Sequence, residues 1–285
     1  MTDISGTTKV CALIGDPVEH TMSPAMHNAA FSELGLDYVY VAFGVKPNGL
    51  TGAVNGMKSL GMRGWNVTIP HKINIIPLLD KLDPLAEKIG AVNTVVNDNG
   101  ILTGHNTDAT GFLQALLEKG IEPGGKKIAI LGAGGAARAV SFILADRGSY
   151  PVIFNRKEGL GRAENLAERI SKEFHIEVPA VELTKENLGS TLDDAGILVN
   201  ATSVGMSPNN NVSPAPAELL KAGMIVYDVI YNPIKTRLLK DAEAAGAATI
   251  GGIDMLVWQG IMAFEKWTGQ KPPFDLMKSQ ALKFL

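Results

Sequence analysis

Apolar and polar positions alternate along this chain in short runs that turn-forming residues separate. Lys9 to Ile14 is an apolar run of strand length that ends in the turn Gly15-Asp16-Pro17. Ser23-Pro24 then opens a helix, with Ser23 expected at the N-cap and Pro24 at N1. Tyr38 to Val45 alternates with β-branched and aromatic residues and reads as a strand, and Leu50 to Leu60 reads as a helix. Gly64 to Ile69 is a further strand, closed by Pro70, and Ile73 to Leu79 and Pro84 to Ile89 read as helices. Ala91 to Asn97 is a strand, after which Asp98-Asn99-Gly100 turns the chain into Ile101-Leu102-Thr103-Gly104. The alternation predicts an α/β sheet, mostly parallel. A helix from about Asp108 to Lys119 leads to Glu122-Pro123-Gly124-Gly125, the clearest turn cluster of the mid-chain.

The pattern then restarts. Lys127 to Leu131 is a strand, Gly134 to Arg147 a helix and Pro151 to Phe154 a strand; Gly161 to Phe174 is helical, and Ile197 to Asn200 and Met224 to Val229 are strands. Met255 to Trp267 is apolar at helical spacing and needs a surface to pack on; a last helix spans about Phe274 to Phe284. A chain of 285 residues arranged in this way suits two domains of ordinary size.

Composition narrows the function classes. Hydrophobic residues make up 46% and charged ones 19%, which suits a packed core, and a net charge of −3 gives no general pull toward nucleic acid or an anionic membrane. Cys11 is the single cysteine, so there is no internal disulfide; it lies in the apolar run Val10 to Ile14 and reads as a buried strand residue. Met1-Thr2-Asp3-Ile4-Ser5 lacks the basic and apolar regions of a signal peptide, and no apolar run approaches the roughly 18 residues of a membrane span, so a cytoplasmic protein is expected.

Two constellations carry chemistry. The first is Gly132-Ala133-Gly134-Gly135-Ala136-Ala137, a glycine turn between a predicted strand and a predicted helix. The first glycine allows a tight turn, the second lets the backbone approach a pyrophosphate, and small Ala137 lets helix and strand pack closely. The helix N-terminus offers N–H donors and partial positive charge to phosphates. With a second strand following, this is the alternation of a dinucleotide-binding domain. That strand ends in Phe154-Asn155-Arg156-Lys157-Glu158. Arg156 and Lys157 favour the 2′-phosphate of NADP; Glu158 could instead reach the ribose of NAD. NADP is preferred, with NAD left open.

The second constellation is Asn66-Val67-Thr68-Ile69-Pro70-His71-Lys72 together with Asn106-Thr107-Asp108. Oxidation of a secondary alcohol needs a base within hydrogen-bond reach of the hydroxyl. Lys72, just past a strand end, is the candidate base, and Asp108 the carboxylate beside it. The bland alternatives are a helix-start lysine pointing into water and a helix-capping aspartate. Thr21 and Ser23 precede a helix N-terminus and suit a carboxylate; Asn66, Thr68 and Asn93 stand at strand ends and could bind ring hydroxyls. The five histidines, His20, His27, His71, His105 and His175, show no close ligand spacing, so no metal is expected.

Taken together these segments resemble the shikimate dehydrogenase family over nearly the whole chain. The matching stretches are Gly15 to Asn28, Asn66 to Lys72, Gly90 to Thr94, Asn106 to Asp108, Gly132 to Arg138, Asn155-Arg156, Asn200 to Met206, Tyr231-Asn232-Pro233 and Gly252 to Gly260. The resemblance implies a reversible NADPH-dependent reduction of 3-dehydroshikimate to shikimate, a step of aromatic amino-acid biosynthesis on the route to chorismate. It implies that Lys72 handles the 3-hydroxyl proton with Asp108 beside it. Thr21, Ser23 and Tyr231 would form the carboxylate side of the pocket, and Asn66, Thr68, Asn93 and Gln259 the hydroxyl side. Gly132, Ala133, Gly134, Gly135 and Ala136 would hold the phosphates, with Asn155, Arg156, Lys157, Val229 and Gly252 also at the cofactor. The implied fold is an α/β substrate domain, residues 1–109, completed by returning C-terminal helices, residues 256–285. A Rossmann-like, doubly wound NADP-binding domain, residues 110–255, lies between them in the chain. Monomer and homodimer both stay open. The family usually carries serine in place of Thr21 and glycine in place of Ala109. Lys157-Glu158 also departs from the threonine or serine usual after Asn-Arg, so a quinate/shikimate dehydrogenase using NAD or both cofactors is the second reading. A cofactor-binding protein without catalysis is the third, and the retention of Lys72 and Asp108 argues against it.

Overall fold

The structure is a computed structural model that describes residues 4–285. The reading of Met1 to Asp3 lies outside the described residues. In chain order the elements are β1 (Lys9–Gly15), α1 (Ser23–Glu33), β2 (Tyr38–Gly44), α2 (Leu50–Ser59), β3 (Gly64–Val67), β4 (Lys81–Leu82), α3 (Pro84–Ile89), β5 (Thr94–Asp98), β6 (Ile101–His105) and α4 (Thr107–Leu117). Then follow β7 (Lys127–Leu131), α5 (Gly135–Asp146), β8 (Tyr150–Asn155), α6 (Leu160–Phe174), β9 (Ala180–Glu182), α7 (Lys185–Leu192), β10 (Ile197–Asn200), β11 (Ile225–Asp228), α8 (Arg237–Ala244), β12 (Ala248–Ile250), α9 (Ile253–Thr268) and α10 (Phe274–Leu282). The chain divides into two compact units: Met1–Gly111 with Val257–Leu285, and Phe112–Leu256. Among the described residues no helix is long and apolar enough to cross a membrane.

The first unit holds a six-stranded sheet of order β2-β1-β3-β5-β6-β4. β1 pairs in parallel with β2 and β3, and β4 with β6, whereas β5 runs antiparallel to both β3 and β6. The expected parallel character therefore holds only in part. Asn99 and Gly100, both at positive φ, form the two-residue hairpin loop that reverses β5 into β6. One face of the sheet buries Ala12, Ile14, Trp65, Val67, Val95 and Leu102 against Val54, Met57 and Ile75. His27, Phe31, Tyr40, Phe264 and Trp267 form an aromatic layer in the same unit, joining α1, β2 and α9.

Two expected helical features fail here. The segment Ile73 to Leu79 makes only a single 3-10 turn at Ile76–Leu78. Pro77 lacks an N–H and disfavours helical backbone at Ile76, so the apolar spacing there cannot propagate. Met22, not Ser23, is the N-cap of α1, and no side chain caps that helix.

The second unit holds a fully parallel sheet of order β12-β11-β10-β7-β8-β9. Counted from β7, this is the 3-2-1-4-5-6 order of the doubly wound dinucleotide-binding fold, with its switch point between β7 and β10. Ala129, Leu131, Val152, Phe154, Leu198 and Val226 form the centre of its core, against Leu188, Leu192, Leu238 and Leu239 from α7 and α8. β9, α7, α8 and β12 have no counterpart in the sequence reading.

Candidate active site

The antiparallel course of β5 builds the polar site of the first unit. Because β5 opposes both neighbours, its start lies beside the ends of β3 and β6: Asn66 pairs with Thr94, and Thr94 with His105. Three polar segments, residues 66–72, 92–94 and 105–108, therefore meet at one edge of the sheet. Backbone bonds lock them together. Val92 N–H donates to the Lys72 carbonyl at 2.7 Å, Asn93 N–H to His105 at 3.0 Å and Val67 N–H to Asn93 at 2.8 Å.

Lys72 Nζ donates to Asp108 Oδ2 at 2.7 Å, and the two side chains are 16% and 10% exposed. Lys72 is thus neither a helix-start residue nor a solvated one. The capping role belongs to Asn106, whose Oδ1 accepts from Ala109 N–H at 3.1 Å. That leaves Asp108, in the first turn of α4, to face the lysine. Asn93 is the hub of the cluster. Its Nδ2 donates to Asp108 Oδ1 and to Thr107 Oγ1, both at 2.9 Å, with a longer contact of 3.5 Å to Gln259 Oε1. Its Oδ1 accepts from Thr107 N–H at 2.7 Å and from the Thr94 hydroxyl at 3.1 Å. One Asp108 oxygen is therefore committed to Asn93 and the other to Lys72, which fixes the carboxylate plane.

Asn66 is more constrained than the sequence implies. Its Nδ2 donates to Asn93 O at 3.2 Å and to Thr94 Oγ1 at 3.0 Å, so both donor hydrogens are used inside the protein. Its Oδ1 accepts from the Tyr40 hydroxyl at 2.7 Å. Asn66 can therefore offer a ligand only acceptor capacity. Thr68 stands one residue beyond β3, its N–H bonded to Ile14 O at 2.9 Å. Thr21 and Ser23 sit at the uncapped start of α1, the Thr21 hydroxyl donating to Ser23 Oγ at 3.2 Å. The structure therefore groups Lys72, Asp108, Asn93, Asn66 and Gln259 by direct contact, and Thr21 with Ser23. Tyr231, Val229 and Gly252 belong to the second unit. Thr94 and Tyr40 escape the sequence reading, because a threonine or tyrosine in a strand is what β propensity alone predicts, and Thr107, the first residue of α4, is read there only as part of the Asn106-Thr107-Asp108 motif.

In the second unit β7 ends at Leu131 and Gly132 turns the chain at φ +108°, with N–H bonded to Phe154 O at 2.7 Å. A Cβ on Gly132 would stand 3.0 Å from both Ala201 O and Thr202 Cγ2, the residues after β10 at the switch point. Gly134 is the N-cap of α5, with no side-chain cap, and a Cβ there would meet nothing within 4 Å. Open space before an uncapped helix start fits a phosphate group. Asn155 ends β8, its Nδ2 bonded to Gly159 O at 2.9 Å and its Oδ1 to Arg156 N–H at 3.0 Å. An amide thus stands where NAD-binding domains place a ribose-binding carboxylate. Arg156 and Lys157 follow on the exposed rim, and Glu158 reaches only to 3.9 Å from Arg156.

Behind the strand ends of the same unit lies a buried polar cluster. Asp228 Oδ1 accepts from Asn200 Nδ2 at 3.0 Å and Ile230 N–H at 3.1 Å, and Oδ2 from the Thr236 hydroxyl at 2.7 Å. Burial pushes this carboxyl up to about 6, against the pull of those three donors. Val229 N–H donates to Asn200 O at 3.0 Å, and Gly252 packs its Cα face directly on the Val229 carbonyl. Among the described residues no group of three or more His, Cys, Asp or Glu side chains is placed to hold a metal ion.

Comparison with known proteins decides the family. A profile of the shikimate dehydrogenase substrate binding domain matches residues 13–95, and one of the shikimate 5'-dehydrogenase C-terminal domain matches residues 252–282. Shikimate dehydrogenase (NADP(+)) of Methanopyrus kandleri is 49% identical over 284 residues, covering 99% of this chain and 98% of that protein. The chain belongs to the shikimate dehydrogenase family. Shikimate 5-dehydrogenase of Listeria monocytogenes, solved with shikimate and NAD, superposes at a TM-score of 0.92 with 45% identity, covering 98% of each chain. A shikimate dehydrogenase solved with NADP+ superposes at 0.93 with 46% identity, covering 98% of this chain and 96% of the other. The family thus includes complexes with either nicotinamide cofactor.

Proposed function

We propose that this protein is an NADP-dependent oxidoreductase that interconverts shikimate and 3-dehydroshikimate, a step of aromatic amino-acid biosynthesis. The observation that carries the reading is the half-buried Lys72–Asp108 pair, 2.7 Å apart and fixed by Asn93. When bound, NADP would accept the hydride; the Gly132–Ala136 turn would hold its phosphates, Arg156 and Lys157 would meet its 2′-phosphate, and Asn155, Val229 and Gly252 would complete the cofactor side. The chain's own residues manage the proton. In the oxidation, Lys72 takes the proton of the 3-hydroxyl as the carbinol hydride leaves. In the reduction, the Lys72 ammonium returns it to the carbonyl oxygen. Asp108 holds one Lys72 hydrogen and so aims the others at the substrate oxygen.

The remaining groups orient the ring. Thr21 and Ser23, at an uncapped helix start, suit the substrate carboxylate, for which the family resemblance also implies Tyr231. Asn66 accepts from a ring hydroxyl, and Thr68, Asn93 and Gln259 complete the hydroxyl side. A cytoplasmic location suits a chain whose one cysteine, Cys11, is buried. The test is initial-rate measurement of nicotinamide reduction by the purified protein, with shikimate or quinate against NADP or NAD. The proposal expects activity concentrated in shikimate with NADP. Preference for quinate or NAD would assign Glu158 to the ribose, and no turnover from folded, cofactor-binding protein would overturn the reading.

A further inference from the structure

One buried phenol backs the polar site in the first unit. Tyr40, 1% exposed, lies on β2 with its ring stacked on His27 at 4.4 Å and tilted against Trp267 at 5.9 Å. Its hydroxyl donates to Asn66 Oδ1 at 2.7 Å. The phenol therefore stands directly behind the amide assigned to a ring hydroxyl.

We infer that Tyr40 is a positioning residue that orients the Asn66 amide for the substrate. The inference rests on the proposed reading of the site. Its physical basis is the satisfaction of buried polar groups. Asn66 is 5% exposed, and its oxygen faces the phenol while both its amide hydrogens are held elsewhere. Without the phenolic hydrogen, the Asn66 oxygen loses its fixed partner, and the amide is free to turn its donors toward a ligand that needs an acceptor. Tyr40 touches neither Lys72 nor Asp108 by any hydrogen bond above, so it acts on substrate placement and not on the proton step.

The experiment is Tyr40→Phe, which keeps the stacked ring and deletes only the hydroxyl, with Tyr38→Phe as control. The Tyr38 hydroxyl donates to Trp267 O at 3.3 Å in the same unit, away from Asn66. Tyr40→Phe should raise KM for shikimate roughly five- to tenfold, about the worth of one neutral hydrogen bond, with kcat and KM for NADP within about twofold of wild type. Tyr38→Phe should change none of them. An unchanged KM for shikimate in Tyr40→Phe, or an equal rise in Tyr38→Phe, overturns the inference while leaving the functional reading in place. A wild-type protein that does not turn over shikimate removes both. Should Tyr40→Phe fail to fold, 3-fluorotyrosine placed at position 40 gives a second readout. Its ¹⁹F resonance should shift on saturation with shikimate as the Asn66 oxygen beside the phenol takes up a ring hydroxyl, and a resonance that stays put overturns the inference.

Discussion

Asn93→Ala strikes at the hub of the active site without touching the proposed acid–base pair. The Asn93 side chain gives Asp108 Oδ1 its bond at 2.9 Å and takes the Thr107 N–H at 2.7 Å, all within a buried cluster. Truncation strands the Thr107 N–H, which is worth about 1–3 kcal/mol when buried, and removes a bond to a charged group worth about 1.5–3 kcal/mol. A water entering the vacated space recovers part of this, leaving a net loss of about 3 kcal/mol. All three tryptophans, Trp65, Trp258 and Trp267, lie in the first unit, so tryptophan fluorescence during urea unfolding reports on that unit. With a slope of about 2 kcal/mol/M, the midpoint should fall by about 1.5 M. Turnover should fall roughly tenfold, because Asp108 keeps Lys72 but loses its fixed plane, while KM for NADP stays unchanged. A midpoint within about 0.3 M of wild type would refute the reasoning that Asn93 satisfies this cluster.

Other perturbations test the second unit. Arg156→Ala should raise KM for NADP roughly tenfold or more and leave KM for NAD within about twofold, since one charge-assisted contact to a 2′-phosphate is lost; equal effects on both cofactors would remove that role. Gly132→Ala forces a side chain onto φ +108° and to 3.0 Å from Ala201 O, so NADP affinity measured by calorimetry should fall at least about tenfold; wild-type affinity would show that the turn does not shape the phosphate site. Asp228 carries a pH signature. Its folded value of about 6 lies above that of a free aspartate, so its favourable contribution is complete below the unfolded pKa of about 4 and is lost as pH rises through about 6. The full span is about 3 kcal/mol, of which about 1.4 kcal/mol falls between pH 5 and pH 7.5, and Asp228→Asn should remove that part from the difference between urea unfolding at the two pH values; a wild-type-minus-variant difference that is flat with pH contradicts the assignment.

The centre of the second unit was legible because its middle strands are buried on both faces and its glycine turn sits between them. Ile197–Asn200 and Lys127–Leu131 are mainly apolar runs whose limits match the expected ones. The elements that escaped there are short: β9 and β12 have three residues each, and α7 and α8 eight, α7 with Gly189 in its middle. In the first unit Ile73 to Leu79 misled, since apolar spacing outweighed Pro77 in the reading but not in the chain. Residues of the site were legible singly, through the clustering of Asn66, Lys72 and Asp108 near predicted strand ends. Their union was not. Lys72 and Asp108 lie 36 positions apart, and only the reversal of β5 between β3 and β6 brings their segments to one edge. Tyr40 was hidden more deeply, because its place in an alternating strand explained it already.

The central claim is that Lys72, held by Asp108, moves the hydroxyl proton. The direct measurement is steady-state turnover of shikimate with NADP by Lys72→Ala, alongside its urea midpoint and its KM for NADP. The account predicts kcat lower by roughly 10²–10⁴-fold in protein that still folds, with KM for NADP close to wild type and a lower urea midpoint, because Asp108 loses its buried partner. Turnover near the wild-type rate in folded Lys72→Ala would contradict it.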